Sequence, residues 1–86
     1  YQSLMTLLKL SKGDYSIVRI RVDYHSSYVG KTVSQLDMPN NALLIAIYQD
    51  DELLIPHGDT VIEAGQNILA FGDDQAIEKL NQIFTS

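Results

Sequence analysis

The side chains that could carry chemistry in this sequence are few: His25 and His57, and three short polar clusters. The cluster Pro56-His57-Gly58-Asp59 interrupts a stretch with the rhythm of a β-sheet. It has two readings. As a turn, Pro56 ends a strand, Gly58 permits a positive φ, Asp59 bonds back to the turn backbone and His57 is simply exposed. As a ligand site, the same residues serve binding as well as the turn, and the rest of the chain has to choose between the two.

The other clusters carry less. Gly30-Lys31-Thr32 suggests a phosphate-binding loop, but that pattern needs a glycine five residues before Gly30, where His25 stands. Asp50-Asp51-Glu52 lacks the spaced oxygens and glycine turn of a calcium loop, and turn chemistry alone explains it as a hairpin tip. Two histidines without a clear carboxylate partner make no metal site, and cysteine is absent, so thiolate sites and disulfides are excluded. No serine, histidine and acid form a nucleophile elbow. The expectation is a non-enzyme with no metal and no resident cofactor.

Eighty-six residues make one small domain, whose fold hides roughly 60–65% of the surface its unfolded chain would expose. Such a core is marginal, and pairing with a second copy would add stability. The formal net charge of −5 argues against a nucleic-acid polymer as partner, yet leaves room for a small anionic ligand held by a few local donors. The chain opens on Tyr1 rather than methionine and is read as a piece of a longer protein. No signal peptide and no apolar run near 18 residues is present.

The elements that must position these residues follow from periodicity. Tyr1, Leu4, Met5 and Leu8 recur at helical spacing, so residues 1–13 are expected to form a connector helix from a preceding domain, broken at Ser11 to Asp14. Residues 14–86 then form the domain proper. Val18, Ile20 and Val22 alternate with Arg19, Arg21 and Asp23, the mark of a half-buried strand. Thr32 or Ser34 caps a short helix through Val33 and Leu36 that must stop before Pro39. The apolar run Ala42 to Tyr48 reads as a central strand, and Asp50-Asp51 turns it into a hairpin with Leu53 to Ile55. Thr60 to Glu63 is a short extended piece, Asn67 to Phe71 a strand, and Ile77, Leu80 and Phe84 face one side of a final helix capped by Asp73 or Asp74. The fold expected is a small α+β domain in the order β-α-β-β-β-α, with a mixed sheet.

In order along the chain, Gly30-Lys31-Thr32, Leu36, Pro39, Leu44 to Ile47, Ile55-Pro56-x-Gly58-Asp59-Thr60, Ala64-Gly65 and Phe71-Gly72 resemble the RCK C-terminal (TrkA-C) domain, over about residues 16 to 84. Where that family often has an arginine after the central strand, this chain has Tyr48-Gln49; where it often has Gly-Asp, this chain has Gly65-Gln66. The resemblance implies a non-catalytic, cytoplasmic regulatory module whose parent lies in the cell membrane as a channel or transporter. It also implies a two-fold homodimer which, in many Gram-positive members, binds cyclic di-AMP in the dimer groove. The contacts so implied are the backbone of Leu43, Leu44 and Ile45 on the adenine edges, the amide of Asn41, apolar walls from Ile55 and Pro56, and His57 against a phosphate or ribose. Tyr1-Gln2-Ser3-Leu4-Met5 resembles the segment leaving the last membrane helix of ClC-type chloride channels, which makes such a channel the expected parent. The alternatives are a potassium transport regulator, a ligand-free dimerisation scaffold, or the effector domain of a transcription regulator.

Overall fold

A computed structural model describes residues 3–86. Its strands are β1 (Leu4–Lys9), β2 (Tyr15–Arg21), β3 (Ala42–Gln49), β4 (Glu52–Leu54) and β5 (Asn67–Asp73), and its one α-helix is α1 (Asp74–Thr85). A single 3-10 turn spans Val33–Gln35. The five strands lie in the order β1-β2-β5-β3-β4. Every neighbouring pair is antiparallel, so the sheet is not mixed. β2 and β3 do run the same way, but β5 returns between them and pairs with both.

One face of this sheet is the core. Val18 and Ile20 of β2, Ile68 and Ala70 of β5 and Ile47 of β3 are at most 1% exposed, and α1 lays Ile77, Leu80 and Phe84 across them. The alternation in β2 therefore sorts as its period of two requires, apolar residues inward and both arginines on the opposite face. The last carbonyls of α1 do not go unmet: Asp23 N donates to Phe84 O at 2.9 Å and Ser26 Oγ to Ile83 O at 3.0 Å.

Asp73 caps α1, accepting from Ala76 N at 2.9 Å, and its other oxygen accepts from Asn41 Nδ2 at 3.0 Å. Asp73→Ala should cost about 1 kcal/mol, the usual worth of an N-cap, read as a lower urea midpoint. An unchanged midpoint would mean that the cap adds nothing here.

Two further expectations are corrected. The opening segment is no helix: residues 4–9 form an edge strand paired with β2, with Leu4 opposite Ile20 and Met5 opposite Arg19. The register slips at Leu7, leaving Met5 and Leu8 on one face three residues apart, the spacing that imitates a helix. Tyr1 and Gln2, also assigned to that helix, lie outside the described residues. The short helix after Thr32 is a 3-10 turn, too short for α-helical bonds because Pro39 follows so closely. Thr60 to Glu63 contributes only an isolated bridge, Val61 to Thr32. Among the described residues no helix is long and apolar enough to cross a membrane.

Candidate functional site

The polar cluster at the centre of the sequence forms a turn docked on the 3-10 turn. Ser34 N donates to Gly58 O at 2.8 Å and Val33 N to Thr60 O at 2.9 Å. Thr60 closes the turn itself: its Oγ1 accepts from His57 N at 2.9 Å, and its N donates to His57 O at 3.1 Å. Thr60 thus does the work expected of Asp59. Gly58 is also not among the residues with positive φ, and a Cβ built on it would meet only Ser34 Cβ at an ordinary 3.5 Å. Its conformation does not demand glycine.

Between this turn and the start of β3 lies an open groove of about 240 Å³, lined by Val33, Met38, Leu43, Leu44, Pro56, His57 and Gly58. Its walls are chiefly apolar, and His57 is the one titratable side chain in them. The supporting wall is held from beneath by Tyr28, whose hydroxyl donates to Thr32 O at 2.6 Å. Burial raises the pKa of that hydroxyl above the ordinary tyrosine range, which keeps it a donor.

β3 enters the groove in an unusual way. β4 pairs with it only at Ile47, Tyr48 and Gln49, so the outer edge of β3 before Ile47 has no neighbouring strand among the described residues. Backbone N–H and C=O groups on that edge are of the kind that can read the edge of a nucleobase. The register of β3 against β5 slips at Ile45, so Leu44 opposes Ala70 while Ala46 opposes Leu69. The slip places Leu44 and Ile47 on the core face and Leu43 on the opposite face, where it is 61% exposed.

Of the residues singled out from sequence, Leu43, Leu44, Pro56 and His57 converge on the groove. Ile45, the bulge residue, is half-buried and does not line it. Ile55 is 59% exposed beside Pro56 and is likewise outside the lining. Asn41 sits elsewhere, engaged with Asp73 in a separate hollow bordered by Pro39, Gln75 and Lys79. Sequence reasoning missed Val33 and Met38; both flank a turn in sequence, and only the fold brings them opposite Pro56. Among the described residues no group of three or more His, Cys, Asp or Glu could hold a metal ion.

Known proteins and a family model match this chain. Residues 17–85 match the TrkA-C domain model. A Trk system potassium uptake protein TrkA homolog of Archaeoglobus fulgidus is 43% identical over 56 residues, covering 65% of this chain and 13% of the relative. Its counterpart in Pyrococcus horikoshii is 31% identical over 68 residues, 78% of this chain and 30% of the relative. Trk system potassium uptake protein trkA homolog 1 of Methanosarcina mazei is 26% identical over 76 residues, 88% of this chain and 19% of the relative. This chain therefore spans less than a third of the length of these relatives. With the sheet, the single packed helix and the matched stretch in agreement, the chain belongs to the TrkA-C domain family.

Proposed function

We propose that this domain is a cytoplasmic, non-catalytic sensor that regulates a membrane transport protein, pairing with a second copy and binding cyclic di-AMP across the pair. The observation that carries this reading is the groove beside Leu43, Leu44 and Pro56: apolar, open and about 240 Å³, below the roughly 300–1,000 Å³ of a complete ligand pocket. A half-sized site suits a two-fold symmetric ligand that takes one half from each copy. The apolar walls would hold the adenines and the free edge of β3 would read them. His57, exposed at the rim, would meet a phosphate or ribose.

Potassium transport is favoured for the parent, because potassium uptake is the named role of the relatives. The chloride-channel reading rests on Tyr1 to Met5 alone, a segment whose described part belongs to the sheet edge rather than to a helix.

Calorimetric titration with cyclic di-AMP, paired with sedimentation, tests the proposal. The expected result is about one ligand per two chains, with the dimer strengthened by ligand. His57→Ala should weaken binding by about 1–3 kcal/mol, the range for a hydrogen bond to a charged group, at nearly unchanged stability. A dimer that gives no heat would leave a ligand-free scaffold. A monomer at tens of micromolar with saturating ligand would defeat the two-fold site.

A further inference from the structure

The chain is acidic, yet its charges are sorted. Lys9, Lys12, Arg19 and Arg21 are four of its six Lys and Arg, and Asp14 is the only acid within its first 21 residues. The other ten acids follow Arg21, with Asp50, Asp51 and Glu52 at the hairpin that makes the far edge of the sheet. The basic end runs over β1, the turn after it and β2, and β1 itself lies before the stretch matched by the family model. β1 is also an apolar exposed edge: Met5, Leu7, Leu8 and, just beyond the strand, Leu10 are 41–52% exposed, interspersed with Lys9 and followed by Lys12. Only Leu4 of this strand packs against the core. The strand therefore offers its side chains outward rather than supporting the domain.

Three kinds of occupant differ in what they need. A second copy docking through the same edge would bring like charges together. A peptide adding as a further strand would need an even ladder, and the slip at Leu7 interrupts the one β1 could offer. A layer of anionic headgroups needs neither register nor groove, and accepts apolar side chains beside lysines. The acidic remainder of the domain would be turned away from such a layer by repulsion. We propose that the β1 edge is a docking surface for an anionic lipid bilayer, with Met5, Leu7, Leu8 and Leu10 entering the interface and Lys9 and Lys12 on the headgroups. The inference does not rest on the cyclic di-AMP reading.

Co-sedimentation of the chain with phosphatidylcholine vesicles, plain or mixed with phosphatidylglycerol, decides it. The expected result is about tenfold or more binding in favour of the mixed vesicles, lost on raising the salt to about 0.5 M. Lys9→Glu with Lys12→Glu should bring binding down to the level of plain vesicles. Leu7→Ser with Leu8→Ser should lower binding to both. Circular dichroism would confirm that the variants fold, and the salt dependence of the unaltered chain needs no variant. Equal binding to the two vesicle types, or none to either, overturns the proposal, including the case in which an acidic protein segment is the true partner. Ligand titration reads the groove separately, so either idea can fail alone.

Discussion

Replacing Phe84 by alanine is expected to cost about 3–5 kcal/mol, the usual price of emptying a fully buried aromatic site. Phe84 is 0% exposed at the end of α1, with its ring edge-on to Tyr28 at 5.9 Å. The backbone around it is fixed as well, because its carbonyl accepts from Asp23 N at 2.9 Å. Collapse into the cavity would have to pull the loop after β2 inward, and that loop is already tied to the helix end by Ser26. A domain of this size has a total stability of about 5–10 kcal/mol, so the variant should be largely unfolded at modest urea concentrations. A midpoint shift equivalent to less than about 1 kcal/mol would mean that the helix end is far looser than its bonds imply. The loss should also reach the groove, since Tyr28 holds Thr32, the residue before Val33 of its wall.

Periodicity revealed this fold wherever the strands are regular, and misled where they are not. Val18, Ile20 and Val22 are buried as their alternation demands, and Ile77, Leu80 and Phe84 fall on one face of α1 as a spacing of three to four predicts. The run Ala42 to Gln49 is a strand, though β5 and not this one is the middle of the sheet, and Asp50 turns it with a positive φ of 55°, as expected of an aspartate in a tight hairpin. At Leu7 a one-residue slip puts Met5 and Leu8 on the same face, so local spacing imitates a helix although the backbone is extended. Ile45 does the same to Leu44 and Ile47, which is why the inward and outward residues of β3 were not separable from sequence. A bulge depends on the partner strand, and one strand's sequence does not contain it.

The candidate site was legible in part for a related reason. Leu43, Leu44, Pro56 and His57 could be named together only through the family resemblance, because no local signal links a strand start to a turn twelve residues later. The glycine argument at Gly58 failed because the turn takes its shape from Thr60 and from the 3-10 turn beneath it. A demand for glycine that simple turn rules pass over lies at Gly72, inside a strand.

Gly72→Val should accordingly cost about 3 kcal/mol, whereas Gly58→Val should cost less than about 1 kcal/mol. Gly72 faces the core side of β5, between Ser16 of β2 and Ala42 of β3. A Cβ there would stand 2.8 Å from Asn41 O and 3.3 Å from the Ala42 Cα, both backbone atoms that no rotamer change can move. The start of β3 must then shift away from β5, and with it Leu43 and Leu44 at the groove. Unlike Phe84→Ala, this variant strains the site directly, so its remaining folded fraction should bind ligand more weakly than the loss of stability alone explains. Urea unfolding and titration at full occupancy of the folded state separate the two effects. A Gly72→Val protein with the midpoint of the unaltered chain would show that β3 can leave β5 at this end without cost, and Gly72 would then set no constraint on Leu43 and Leu44 at the groove.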